Sequence, residues 1–236
     1  MKIKIFIRFF SALIVFSAAI SFAAYPFPVP DTGQTTCYDD EFEGNILNPC
    51  PSPGEALYGQ DAHYTFNPPS YTKLDANGND LPVNAADWAM VRDNVTGLIW
   101  EHKTDDGGIH DKDNAYTWYD SNPATNGGHE GTPGDGTDTE DFINALNAEN
   151  FGGFSDWRLP SIKELSQIVN YDETAPAINT TYFSNTVWES DTLVYLLYWS
   201  STTHVHDATK VNTLNFHNGY EFIFMKSETF PVRAVR

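Results

Sequence analysis

The sequence predicts an α+β domain in which short β-strands precede and follow two short helices, behind a loop-rich N-terminal segment. Two apolar runs joined by a turn, at residues 88–93 and 98–101, indicate the first strands. Apolar residues at helical spacing follow between residues 139 and 169, and further apolar runs around an Asn-Gly pair close the chain. This order of strands, helices and strands is typical of an α+β fold.

The first 24 residues have the features of a secretory signal peptide. Three basic residues precede an almost wholly apolar run at residues 9–20, and small side chains at positions 21 and 23 suit cleavage. A retained membrane anchor is the alternative, although the run is shorter than the ~20 residues that a spanning helix needs. The sequence therefore predicts a secreted, periplasmic or cell-surface protein with no membrane span after cleavage.

Acidic residues greatly outnumber basic ones. The chain has 32 Asp and Glu against 13 Lys and Arg, a formal net charge of −19. Removal of residues 1–24 takes away three basic and no acidic residues, which leaves −22. Because nucleic acids are bound chiefly through Lys and Arg, this composition excludes a general nucleic-acid-binding surface. The acidity has two explanations, solubility outside the cell and carboxylates that bind Ca²⁺.

Residues 25–87 form a segment rich in Pro, Gly, Asn, Asp and Thr, which predicts loops. Its two cysteines, Cys37 and Cys50, are expected to form a disulfide in an exported protein. Residues 58–66 are expected to hold one short strand. Residues 75–80 resemble the start of a calcium-binding loop, but they lack its closing Glu, which favours a tight turn.

Capping signals define both helices. Thr137 and Glu140 have the spacing of a capping box and predict a first helix at residues 139–149. Pro160, Ser161 and Glu164 predict the start of a second helix, whose apolar stripe runs to residue 169. Trp157, just ahead of that helix, is expected in the core. Between strands and helices, residues 121–138 predict a long surface loop.

Four short strands are predicted after the helices. They cover residues 196–201, 210–216, 221–226 and 230–235. The Asn218-Gly219 pair predicts a tight hairpin between the second and third of them.

Five ordered motifs resemble the Lcl C-terminal domain family, which takes its name from a bacterial collagen-like adhesin. They are VRDNVTGLIWE, TWYDS, NFGGFSDWRLPSIKEL, YWSST and VRAVR, spread over residues 88–236. The resemblance implies a C-type-lectin-like fold, with two helices flanking small twisted antiparallel sheets. It also singles out structural motif residues: Trp157, Arg158, Pro160, Glu164 and Arg233.

The characterised adhesin of that family is associated with sulfated polysaccharides and surface attachment. This sequence differs in two ways, since it has few basic residues to meet sulfate and no collagen-like Gly repeat. The resemblance therefore implies a generic binding role more than recognition of a sulfated glycan.

The sequence offers little evidence of catalysis. Residues 88–236 contain no cysteine, which excludes chemistry of the formylglycine-generating type, and the motifs of common hydrolases and phosphate loops are absent. Acidic residues are plentiful, so a glycan hydrolase remains a weaker alternative. No cofactor is required.

Two acidic loops are candidate calcium sites because hard carboxylate oxygens suit that ion. The first holds Asp105, Asp106, Asp111 and Asp113, and the second holds Asp135, Asp138, Glu140 and Asp141. Turn formation and helix capping are the alternatives for these side chains. His204 and His206 would lie on one face of a strand, a spacing that suits a transition metal, but a polar loop is favoured.

Five aromatic residues have two interpretations: Trp100, Trp118, Tyr119, Tyr198 and Trp199. If exposed, they form a stacking surface for a glycan; if buried, they form the core. The expected function is an exported, non-catalytic module that binds a glycan or cell-surface protein. The alternative is a structural component of the cell envelope, in which Trp and Tyr patches join copies into a homo-oligomer.

Overall fold

The computed structural model describes residues 28–41, 44–188 and 197–236. The predicted signal peptide, residues 1–24, lies outside this range. The elements follow in the order β1 Cys37–Tyr38, β2 Ile46–Leu47, β3 Tyr71–Leu74, β4 Met90–Asp93, β5 Ile99–Glu101, β6 Tyr116–Thr117, α1 Thr139–Ala148, α2 Ile162–Ser166, β7 Leu197–Thr203, β8 Lys210–Asn215, β9 Glu221–Met225 and β10 Thr229–Phe230. This is the predicted α+β order. Within the described ranges, no helix has the length and apolar character needed to cross a bilayer.

Both helices form where the capping signals place them. Asp138, and not Thr137, caps α1, because its side chain accepts the N–H of Asp141. The predicted capping box at α2 is confirmed, since Ser161 and Glu164 exchange side-chain and backbone hydrogen bonds. The α2 helix ends at Ser166, earlier than its apolar stripe suggests. Each N–H of the next three residues bonds three positions back, which tightens the chain into a final turn.

Two three-stranded antiparallel sheets form the framework. Their strand orders are β3-β4-β5 and β7-β8-β9, and two-stranded pairs β1-β2 and β6-β10 complete the sheets. In the second sheet Trp199 lies opposite Thr213, and Val211 lies opposite Phe224. The register of this sheet shifts between Trp199 and Thr203, near its edge.

Both sheets contribute to two apolar cores, because successive side chains along a strand point to opposite faces. Trp199 and Val211 belong to the core that also holds Trp118 and Trp157. Tyr198 and Leu214, the alternate residues, belong to the core that receives the apolar face of α2. Burial on both faces explains why Leu197, Tyr198 and Trp199 of β7 form a continuous apolar run in the sequence.

The N-terminal segment is more structured than its composition predicts. The disulfide between Cys37 and Cys50 is confirmed. Residues 58–66 do not form a strand; a short 3-10 helix, Asp61–His63, occupies their centre. The predicted turn at residues 75–80 is present, since Asp75 accepts the N–H groups of Asn77 and Asn79. The segment also supplies β3, which pairs along its whole length with β4.

The closing segment, residues 233–236, joins parts of the chain that are distant in sequence. Ile99 and Arg236 exchange two backbone hydrogen bonds on one side, and Arg158 and Val235 exchange two on the other. The segment therefore lies between β5 and the residue that follows Trp157. Of the strand predicted at residues 230–235, only Phe230 lies in a regular strand, β10, which pairs with β6.

A buried network of charges supports this junction. Glu101 accepts hydrogen bonds from Lys103 at 3.0 Å and bonds His110 at 2.9 Å, and its other carboxylate oxygen accepts the N–H of Ala234. Arg233 donates to the carbonyl of Glu101 at 2.7 Å. Burial alone would raise the pKa of Glu101, but Lys103 and His110 outweigh it and hold the pKa below its usual value.

We expect Glu101→Gln to destabilise the fold strongly. The substitution keeps the shape of the side chain but leaves Lys103 and Arg233 buried without an anion, which typically costs about 3–5 kcal/mol. Chemical denaturation measures this loss. Asp80→Asn is the matched control, because Asp80 pairs with Arg92 at the surface, and such pairs are worth at most about 1 kcal/mol. Equal losses in the two variants would contradict the prediction.

Candidate ligand-binding cleft

Four of the five candidate stacking residues lie in the core. Trp100, Trp118, Tyr198 and Trp199 are buried, with at most 1% of their surface exposed. Trp118 donates its indole N–H to the carbonyl of Ser200 at 2.9 Å, and Trp199 donates to that of Tyr116 at 2.7 Å. The core interpretation is therefore correct for these four residues, and the interpretation as an exposed stacking surface is wrong.

Tyr119, the fifth candidate, lies half-buried at a surface cleft of about 390 Å³. The cleft is bounded by the residues after β6, the first turn of α1, the Arg158-Leu159 pair and the outer part of β7. Its lining residues are Trp118, Tyr119, Asp120, Thr125, Thr139, Glu140, Ile143, Arg158, Leu159 and Ser201. Of the residues singled out in the sequence, Tyr119, Trp118, Glu140 and Arg158 meet here.

The first turn of α1 fixes one wall of the cleft. The Thr139 hydroxyl accepts the N–H of Tyr119 at 2.9 Å and donates to its carbonyl at 2.8 Å. Glu140 accepts the N–H and the hydroxyl of Ser121 with its two carboxylate oxygens, at 2.6 and 2.9 Å. The backbone around Tyr119 is thus held before any ligand arrives.

The opposite wall is built by the residues that follow Trp157. Asn147 on α1 accepts the N–H of Trp157 and donates to its carbonyl, at 2.8 and 2.9 Å. The next residue, Arg158, pairs with Glu164 through two hydrogen bonds of 2.7 and 2.9 Å. Partial burial raises the pKa of Glu164, yet the Arg158 guanidinium outweighs that effect and keeps it below the usual value. The only cation of the cleft lining is therefore already neutralised by Glu164.

A buried lysine ties down the loop beside the cleft. Lys226 donates to the carbonyls of Asn126 and His129, at 2.8 and 2.6 Å, and lies 3.8 Å from the centre of the Trp118 ring. Burial lowers the pKa of Lys226 to about 8. Gly131 closes the loop at a φ of 94°, where a Cβ would meet the Trp118 carbonyl at 2.1 Å. Sequence reasoning missed Lys226, because a lysine at the end of a strand normally points to solvent.

The Tyr119 hydroxyl lies near several carboxylates. Partial burial, followed by the carboxylates of Glu130 and Glu140, raises the pKa of the Tyr119 hydroxyl. Like any neutral tyrosine, Tyr119 offers an apolar ring face and a hydroxyl that can donate a hydrogen bond.

The acidic loop at residues 105–113 does not bring its carboxylates together. Asp111 accepts the N–H groups of Asp106 and Gly107 with one oxygen, at 2.7 and 2.6 Å, and that of Asp113 with the other. Asp105 pairs with Lys112 at 2.6 Å. Asp111 thus organises the turn through the backbone, a role that satisfies its oxygens without an ion.

The second acidic loop is also engaged in local structure. Asp138 caps α1 and accepts the N–H of Gly134, while Asp141 accepts that of Gly136. In residues 28–41, 44–188 and 197–236, the one His, Cys, Asp or Glu group with metal-binding spacing is Cys37, Cys50 and His63. Its two sulfur atoms form the disulfide, so thiolate ligands are absent there. His204 and His206 follow the end of β7 in a turn, not in a strand.

One serine contacts a histidine at a distance suited to nucleophilic catalysis. The Ser184 hydroxyl lies 3.2 Å from Nε2 of His102. Burial, and then the charge of Arg233, lower the pKa of His102 to about 3. A histidine with this pKa is too weak a base to activate serine at neutral pH.

The chain belongs to the Lcl C-terminal domain family. The model of that family, described as the Lcl C-terminal domain, matches residues 89–236 and so includes every residue of the cleft. No curated protein matches the chain.

Calcium is expected to leave the thermal stability unchanged. Because Asp111 is already occupied by backbone N–H groups, the loop at residues 105–113 lacks converging free oxygens. The test compares melting temperatures in EGTA and in millimolar Ca²⁺ at fixed ionic strength. A clear rise with Ca²⁺ would contradict this prediction, since ligands that bind only the folded state must stabilise it.

The neutral state of His102 predicts a specific loss of stability in acid. The folded protein keeps His102 neutral down to about pH 3, whereas the unfolded chain protonates it near pH 6.5. The unfolded state therefore binds more protons between these values, and the free energy of unfolding falls as the pH is lowered. One such group accounts for up to about 1.4 kcal/mol per pH unit.

His102→Phe removes the side chain that takes up a proton on unfolding. The free energy of unfolding of this variant should therefore fall less between pH 6 and pH 4 than that of the unsubstituted protein. Urea denaturation at several pH values measures both curves. Parallel curves would show that His102 is not the group responsible.

Proposed function

We propose that this chain is an exported, non-catalytic binding module with a C-type-lectin-like fold, which attaches to surfaces by recognising a glycan. A protein ligand is the broader alternative within the same role. Membership of the Lcl C-terminal domain family supports the proposal. Two short helices among small antiparallel sheets agree with the proposed fold.

The cleft at Tyr119 is the observation that carries the proposal. It combines an aromatic ring, the hydroxyl-bearing Thr125 and Ser201, and the carboxylate of Asp120. Sugars are bound by this combination, because an aromatic face packs against C–H groups while polar side chains pair with hydroxyls. The hydrogen bonds from α1 hold the wall in place, which lowers the entropic cost of binding.

Electrostatics favour a neutral glycan over a sulfated one. Arg158 is engaged by Glu164, and the cleft also contains Asp120 and Glu140. With a net charge of −19 on the chain, a sulfate group would meet repulsion and no free cation in this cleft.

Two observations support a role without catalysis. Glycan hydrolysis needs two carboxyl groups free to transfer a proton and to attack or activate water. Glu140 uses both carboxylate oxygens to hold Ser121. Ser184 is paired with a histidine whose pKa is about 3. A glycan hydrolase therefore stays the weaker alternative.

The structural alternative is a self-assembling envelope component. The structure gives it other contact residues than the sequence predicted. The tryptophans expected to join copies, such as Trp118 and Trp199, are buried within each copy. Exposed apolar residues instead lie on β9, far along the chain from Tyr119.

Tyr119→Ala should weaken glycan binding by about tenfold or more, since loss of ring stacking and its hydrogen bond removes about 1.4 kcal/mol or more. A glycan array with neutral and sulfated sugars first identifies the ligand, and titration calorimetry then compares the variants. Tyr64→Ala is the matched control, because Tyr64 is an exposed tyrosine in the N-terminal segment. Equal affinity in the two variants would show that the cleft is not the binding site. An array without any hit would contradict the proposal that the ligand is a glycan.

A further inference from the structure

Within the described part of the chain, most backbone groups on the outer edge of β9 have no backbone partner. Asn215 bonds the carbonyl of Tyr220, and Lys226 bonds that of Thr209, both at 2.9 Å. Bonded and non-bonded positions alternate along an antiparallel strand. Glu221, Ile223 and Met225 therefore direct their N–H and C=O groups away from β8.

The two edges of the β7-β8-β9 sheet differ in their backbone hydrogen bonds. On the β7 edge, Trp199 donates to the carbonyl of Pro231 at 3.1 Å, and Ser201 donates to that of Pro160 at 2.8 Å. On the β9 edge, within the described part of the chain, only the carbonyl of Met225 has a backbone partner, the N–H of Glu228. Among residues 28–41, 44–188 and 197–236, the β7 edge is thus covered and the β9 edge is open.

Apolar side chains line the open edge. The exposed fraction is 63% for Tyr220, 38% for Phe222, and 48% for both Ile223 and Met225. Glu221 is the only charged residue in the strand, although the chain as a whole carries a net charge of −19. Soluble proteins usually protect an edge strand with charges, proline or a bulge, and an unprotected apolar edge invites pairing with another strand.

We propose that β9 pairs with β9 of a second copy of this chain, antiparallel and about a two-fold axis at Ile223. This register places Ile223 opposite its own counterpart and Glu221 opposite Met225. All the outward-pointing residues of one strand then face outward-pointing residues of the other, as antiparallel hydrogen bonding requires. The β7-β8-β9 sheet of one copy and the same sheet of the other copy then join into one sheet of six strands.

A second copy suits this edge better than a basic partner. A basic protein would be attracted to the acidic surface of the chain, whereas β9 carries a single charge, Glu221. Two antiparallel copies of β9 can also pair with each other so that their outward-pointing residues lie opposite one another. Within the paired strands themselves, Glu221 is the one charge that each copy contributes. The remaining charges still repel, so the dimer should strengthen as salt screens them.

Cysteine trapping tests the register directly. Directly opposite residues that exchange hydrogen bonds have Cα atoms about 5.5 Å apart, within the range of a disulfide. Both native cysteines are already joined to each other, so a new cysteine can react only with another copy. Under mild oxidation, Ile223→Cys should form dimers quickly at about 50 µM protein, and Val205→Cys should not. Val205 is the matched control because it is 84% exposed but lies in the turn after β7.

Sedimentation equilibrium of the full mature chain provides the second readout. The unsubstituted protein should show a reversible monomer–dimer equilibrium that shifts toward dimer from about 50 mM to 500 mM NaCl. Ile223→Lys should be monomeric with an unchanged circular dichroism spectrum, since two lysines would meet at the axis, and Val205→Lys should dimerise normally.

Three results would overturn the proposal. They are a strictly monomeric protein up to about 500 µM, dimers that weaken with salt, and equal cross-linking through positions 223 and 205. The outcome is independent of the cleft, because neither substitution touches a residue that lines it.

Discussion

The buried carboxylate of Glu101 is the interaction on which the junction of this fold depends. It holds the closing segment through the N–H of Ala234, while the Glu101 carbonyl receives Arg233. The same carboxylate binds Lys103 and reaches the acidic loop through His110. A charge is costly inside a protein unless its partners surround it, so these groups are stable only together. The closing segment, once fixed, positions Arg158 through Val235, and with it one wall of the cleft.

Local signals were sufficient to predict most helices and strands. Ser161 and Glu164 define a helix start by themselves, and the Asn218-Gly219 pair defines a hairpin, because each feature depends on residues a few positions apart. The strand β3 was missed for the opposite reason. Its residues, YTKL, show no clear alternation, and only pairing with β4 makes them a strand. The prediction of a strand at residues 58–66 was wrong because local hydrogen bonds around His63 favour a tight turn.

The site was harder to predict because its parts come from distant positions. Tyr119 and Arg158 could each be singled out, yet nothing in the sequence indicates that they face the same cleft. Aromatic composition does not distinguish a stacking surface from a core, and Trp118 belongs to the core while it also lines the cleft. Carboxylates such as Asp111 resemble ion ligands in sequence, whereas their role is decided by which backbone N–H groups the turn directs at them.

The dimer proposed at β9 would have a consequence for the glycan binding proposed at the Tyr119 cleft. Two copies joined through β9 would carry two clefts, so the second contact with a glycan-bearing surface would be made at a high effective concentration. Such avidity would favour a densely displayed glycan over isolated free sugars, because only the dense display lets both clefts bind at once.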